Sequence, residues 1–293
     1  MVYAMRSNSS DARAWRIVAL LGAALAVSTV AIAGPAPDLS ASSMLDRGFS
    51  RLYNLEFADA QKDFASWESQ HPDDPMGPVS EAAGLLFSEF NRLGVLETQF
   101  YASDAAFAAR SKVAADPAVR ERFRAAVNRA DQLARVRLAK NSSDHDALFA
   151  LTLSSGLQAD YAALIEKRNL ASLHFTKEAS VWAQQLLSIC NSCDDARLAT
   201  GFSKYIIGSM AAPVRWMLRL GGLPGDKQAG IADLRQTAER GHYLAPFARI
   251  LLAIAYVRER DNARALQLLS SLRSDFPGNP LFSREIVRLQ ESR

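Results

Sequence analysis

Three observations predict an all-α chain built from stacked antiparallel helical hairpins. Almost every segment beyond the N-terminal stretch carries apolar residues at helical spacing, and strand-like alternation is nearly absent. Two segments some two hundred positions apart also share one pattern. Ala60, Phe64, Trp67 and Pro72 fall at relative positions 0, 4, 7 and 12, and so do Ala265, Leu269, Leu272 and Pro277. A small residue lets two helix backbones approach, the bulky ones at +4 and +7 fill the groove beside it on the same face, and the proline ends the helix. One such hairpin cannot bury its apolar face alone, so neighbours must stack.

The first 33 residues read as an export signal. Arg13 and Arg16 precede the uncharged run Ile17–Ala33, which ends Ala31-Ile32-Ala33 before Gly34. Cleavage there leaves a mature chain in the periplasm or another extracytoplasmic space, with no stable membrane span. The alternative is an uncleaved N-terminal membrane anchor, because seventeen apolar residues lie at the short end of what crosses a bilayer. Residues 34–41 read as a linker, and 42–293 as one helical repeat domain.

Eleven helices are expected near 42–54, 56–70, 75–93, 117–140, 144–166, 169–189, 194–210, 213–220, 226–241, 243–260 and 262–275, with a twelfth after Pro280. HPDDP (71–75) and FPGNP (276–280) punctuate the chain in the same way: Pro72 or Pro277 closes a helix, and Asp74 or Asn279 precedes a proline that opens the next. Residues 100–116 form a long connection ended by Asp116-Pro117, a good helix start. The 117–140 helix has a clear apolar face in Val119, Phe123, Val127, Ala130, Ala134 and Leu138. Asp144–Asp146, which contains His145, is a capping turn. Pro213 breaks the region before it, so that Trp216 and Met217 lie in a short helix ending at Gly221-Gly222. Asp226 caps the helix that follows. Leu244–Val257, interrupted by Arg249, is a buried helix. Between 95 and 220 the pattern stays helical but loses its regular spacing.

The segment Arg249–Pro277 resembles a tetratricopeptide repeat, with Ala253, Tyr256, Ala265, Leu269 and Pro277 at the family's offsets. An N-terminal copy supplies Gly48, Ala60, Phe64 and Pro72 but places Arg51 where the family has an aromatic residue, with Tyr53 close by. A third echo, Gly225…Gly230…Leu234…Ala238…Gly241, is similar to the shorter repeats of the Sel1 type. The resemblance implies a tetratricopeptide-like α-α superhelix, and non-catalytic scaffold or adaptor work that binds a peptide or protein in a concave groove. No family binding residue carries over, because such proteins bind through differing groove positions.

The chemistry-bearing residues are few. Cys190 and Cys193 are the only cysteines and follow an export signal, which favours a disulfide in the turn between two helices. The alternative, a thiol–disulfide catalyst, is disfavoured by Asp194-Asp195, since neighbouring carboxylates raise a thiol's pKa. His71, His145, His174 and His242 show no metal-ligand spacing, so no metal or cofactor is expected. No phosphate loop, nucleophile elbow or supported carboxylate pair is present, and the chain reads as no enzyme.

The formal charge is +3, of which Arg6, Arg13 and Arg16 against Asp11 supply +2, so the body offers no electrostatic case for nucleic acid. Residues 110–140 nevertheless carry a local +6. Candidate partner contacts are therefore Phe100, Tyr101, Phe107, Arg110 and Lys112 in the long connection, and Arg120 and Arg124 on the helix after it. The competing readings are aromatics that plug the side of the stack and a solvated basic face. Asn141-Ser142-Ser143 fits both a glycosylation acceptor and a capping turn. Self-association of the helical domain is the remaining alternative.

Overall fold

Helix ends leave backbone groups without partners, and the way each end is closed decides where the chain goes next. A computed structural model describes residues 39–96 and 114–291 of this chain. Among them are twelve α-helices and no strand: α1 (Leu39–Tyr53), α2 (Phe57–Gln70), α3 (Met76–Arg92), α4 (Pro117–Lys140), α5 (His145–Asp160), α6 (Asn169–Ile189), α7 (Arg197–Gly208), α8 (Ala212–Leu220), α9 (Lys227–Arg240), α10 (Ala245–Arg258), α11 (Asn262–Asp275) and α12 (Pro280–Glu291). Each of the long helices packs on its neighbours in the chain, with α9 taking the place beside α7 across the short α8. The helix expected from 42 begins at Leu39 and absorbs the end of the predicted linker. The one expected over 144–166 turns into a π-type coil at Tyr161–Ile165, and the one expected from 194 opens with a 3-10 turn, Asp194–Ala196.

Two kinds of turn alternate along the chain. After α1, α3, α5, α8 and α10, a residue in the left-handed region ends the helix: Leu55, Gly94, Lys167, Gly222 and Arg260, with φ between 54° and 84°. The next amide then reaches back to a carbonyl five or six residues earlier: Glu56 to Arg51, Val95 to Phe90, Arg168 to Ala162, Leu223 to Leu218 and Asp261 to Tyr256, at 2.7–2.9 Å. This closure satisfies a terminal carbonyl and ends each of these helices.

After α2, α4, α6 and α11 the chain instead leaves the helix extended, at His71, Asn141, Cys190 and Phe276. The fourth residue of each turn donates its amide to the first residue's carbonyl: Asp74 to His71, Asp144 to Asn141, Cys193 to Cys190 and Asn279 to Phe276. Hairpin turns and seams thus alternate from α1 through α6, including part of the region where the sequence loses its spacing, and again from α10 to α11; the ends of α7 and α9 follow neither pattern. HPDDP and FPGNP are two of four such seams.

Packing follows the predicted stripes. In α2 the buried positions are Ala60, Asp63, Phe64 and Trp67, and in α11 they are Ala265, Leu269 and Leu272. Gly48 faces the Phe64 ring so closely that a Cβ would collide with it. At the α7–α9 crossing, a Cβ on Gly230 would stand 2.6 Å from the Tyr205 amide nitrogen, so only glycine permits this approach. Arg51, at the aromatic position of the repeat pattern, instead donates to the buried Asp63 carboxylate at 2.7 Å. Helix α5 is buried on most sides against α3, α4 and α6. With its π-type extension, His145–Ile165 is long and apolar enough to cross a membrane, but 61% of that apolar stretch is packed inside the protein.

The two ends of the helical series meet. The Tyr53 hydroxyl donates to the Tyr243 carbonyl at 2.8 Å, Asn279 Nδ2 donates to the Tyr53 carbonyl at 2.9 Å, and the Gly278 amide donates to Asn54 Oδ1 at 3.0 Å. The Tyr53 and Phe276 rings stand 5.3 Å apart. Asn279 also accepts the Leu281 amide that opens α12, and it is buried.

Two outcomes check this account. Asn279→Ala removes both bonds from a buried site and lowers unfolding stability by about 2–3 kcal/mol in urea titration. Arg260→Gly relieves an exposed left-handed side chain and raises stability by roughly 0.5–1 kcal/mol in the same assay.

Candidate functional site

Successive seams lie side by side. Arg137 at the end of α4 spans two of them, donating to Asp144 at 2.9 Å and pairing with Asp74 at 3.5 Å. At the third seam Asp194 accepts Arg197 at 3.0 Å and Gln236 at 2.8 Å. Its neighbour Asp195 accepts the amides of Tyr243 and Leu244, at 3.0 and 3.1 Å, at the start of α10. Both aspartates are buried, and both hold the next pair of helices in place. Burial pushes the Asp195 carboxyl above its usual range, opposed by those backbone donors.

The third seam carries the cysteines. Cys190 and Cys193 form a disulfide across the first and fourth residues of the turn. In the other three seams an Asp or Asn at the fourth position accepts an amide of the following helix, as Asp144 does from Ala147 and Asn279 from Leu281. Cys193 makes no such bond, and the disulfide ties the turn instead. Ser192 lies 3.7 Å from the Cys190 sulfur.

Behind the sulfurs is an apolar pad that includes Leu148, Ala183, Leu186 and Ala196. In front of them is His145, the exposed first residue of α5, donated by the adjoining seam. Its ring nitrogen and both sulfurs lie within 4.8 Å of one another. Sequence spacing gave no sign of this group, because 45 positions separate His145 from Cys190. Only the stacking of seams brings them together.

Helix α8 interrupts the alternation, being a third helix inserted between α7 and α9. None of its residues is buried. Val214, Trp216, Met217 and Leu220 project from it, the last three 66%, 61% and 69% exposed. At 100° per residue these four fall on one side, and Arg215 and Arg219 on the other. Arg215 donates to the Gly208 carbonyl and Lys177 of α6 to the Gly221 carbonyl, which tether the two ends of the helix. The sequence reading identified this helix by its boundaries but not by its exposed face.

Most arginines of the basic helix α4 meet carboxylates while staying partly exposed. Arg122 pairs with Glu81, Arg129 with Glu68, Arg137 with three aspartates, and Arg124 with Glu121 and Glu166. Arg120 lies 3.5 Å from Glu121. Carboxylates from α2, α3 and the turns on either side of α5 thus offset the local surplus, and the arginines bracket one hairpin to the next. Of the predicted partner contacts, Phe100, Tyr101, Phe107, Arg110 and Lys112 lie outside the described residues. Asn141 accepts the Ser143 amide and serves its seam.

The face shared by the first helices of the hairpins is covered by the chain itself. Phe49 of α1 and Phe149 of α5 both meet the Tyr243 ring, and Phe87 of α3 meets Phe247 of α10, with ring centres 4.8–6.4 Å apart. These ring contacts join the first helices of three hairpins to the segment that opens and begins α10. No family model matches this chain, and no curated protein matches it either.

One titration has a measurable consequence. Loss of surrounding water pushes the Asp160 carboxyl, where α5 passes into the π-type coil, up to about 7 from 3.8. The folded chain therefore holds a proton that the unfolded chain releases near pH 4, and this group's contribution to stability falls as pH rises from about 4 to 7. Asp160→Asn flattens that part of the stability–pH curve in urea titrations, and is the more stable form at pH 8.

Proposed function

We propose that this chain is a non-catalytic, tetratricopeptide-like scaffold that works outside the cytoplasm and holds a protein partner. The alternation of hairpin turns and seams supports the repeat reading. The export-type N-terminus and the Cys190–Cys193 disulfide support the compartment, since such bonds persist where the surroundings oxidise thiols.

The observation that carries the binding reading is α8. An inserted helix that buries none of its own side chains contributes little to the core, yet it exposes an aromatic, a methionine and a leucine on one face. Aromatic and methionine side chains are enriched where protein surfaces meet. Residues 209–222 carry two arginines and no carboxylate. The matching occupant is an amphipathic helix of another protein, with an apolar face and an acidic flank. Docking there leaves the aromatic-filled face of α1, α3 and α5 undisturbed.

The test is proximity labelling in the native compartment with wild-type protein and a Trp216→Asp/Leu220→Asp variant. The variant keeps its circular dichroism and melting temperature within about 2 °C, because exposed sites away from the core tolerate change. It loses at least one protein that wild type labels. An unchanged labelling profile with an intact fold defeats the assignment.

A further inference from the structure

The seam disulfide has a second chemical capacity. We propose that, once reduced, Cys190 and Cys193 form with His145 a three-ligand site for a soft d10 cation, Cu(I) foremost, and that the disulfide is the gate that closes it. This inference does not depend on the binding role of α8.

The donor set is what such an ion takes. Thiolates and imidazole are soft to intermediate ligands, and two thiolates with one imidazole satisfy the low coordination number of Cu(I). The C-x-x-C spacing is the usual way to direct two sulfurs at one ion. Two thiolates of a trigonal three-ligand site stand about 4 Å apart when each metal–sulfur bond is about 2.3 Å. The Cys190 and Cys193 Cα atoms are 5.5 Å apart, so side-chain rotation alone opens the sulfurs to that separation. His145 reaches the same point from a different seam, with its nitrogen already within 4.8 Å of both sulfurs. The apolar pad of Leu148, Leu186 and Ala196 shields the far side, which favours a desolvated soft ion over a hydrated hard one.

The chemistry balances with a dithiol reductant. Thiolate of the reductant attacks one sulfur of the Cys190–Cys193 bond. Exchange leaves two protein thiols and the cyclic disulfide of the reductant, a two-electron transfer. Cu(I) then replaces both thiol protons and takes the neutral imidazole, releasing two protons to solvent. Exchange with a disulfide oxidant, which takes up the two electrons and leaves as its dithiol, re-forms the Cys190–Cys193 bond, withdraws both sulfurs and releases Cu(I).

Reduction should not unfold the protein. The bond closes only a four-residue turn, worth no more than about 2 kcal/mol in unfolded-state entropy, and the Cys193 amide to Cys190 carbonyl bond remains.

The experiment is anaerobic competition of the full chain with a chromophoric Cu(I) chelator. Reduced wild type withdraws one Cu(I) per chain, and protein oxidised at the pair withdraws none. His145→Ala, an exposed position, binds at least roughly tenfold more weakly, consistent with losing one of three ligands. Cys190→Ser/Cys193→Ser binds none while keeping the helical circular dichroism of wild type. Equal uptake by the oxidised chain, no uptake by the reduced chain, or unchanged affinity in His145→Ala each overturns the site.

Discussion

The geometry of helix termination governs the rest of this structure. A hairpin turn needs one residue in the left-handed region, which frees the next amide to close on a carbonyl five or six positions back. A seam needs an extended residue, so that the chain steps sideways to the next pair. The protein accepts left-handed backbone at Leu55, Lys167 and Arg260, where glycine would be unstrained, to keep that alternation. Without it the apolar stripes of α2 and α11 would face solvent, and no amount of hydrophobic content would make a stack.

Stacking of seams explains where polar residues are buried. Arg137 holds the first two seams together, Asp194 and Asp195 hold the third seam to α9 and to the turn before α10, and each satisfies several backbone or side-chain groups at once. A carboxylate taken from water is costly unless it meets donors, and these meet amides or guanidinium groups. The same logic applies on α4, where Arg122, Arg124, Arg129 and Arg137 reach carboxylates of neighbouring elements. The disulfide fits the scheme as a substitute for the missing Asp or Asn cap at the third seam.

Joining of the two ends changes what surface is left for partners. Tyr53, Asn54, Asn279 and Tyr243 bring the first and last hairpins together, and the aromatic residues of α1, α3 and α5 find partners within the chain. Two peripheral features stand out among the described residues: the apolar face of the inserted helix α8, and the imidazole–sulfur group at the seam edge. The two lie on different segments and involve different chemistry.

The sequence by itself determined nearly every helix, within a few residues, because helical period, proline and capping residues act locally. It also determined the buried faces of α2 and α11, the turn character of the cysteine segment and the short helix after Pro213. Tertiary structure decided the rest. The regularity of the middle hairpins resides in turn backbone, which Lys167 and Cys193 adopt without a diagnostic residue type. The meeting of Tyr53 with Asn279, and of His145 with Cys190 and Cys193, depends on how far each pair of helices rotates against the last. That rotation is summed over many side-chain contacts, and no local pattern in the chain encodes it.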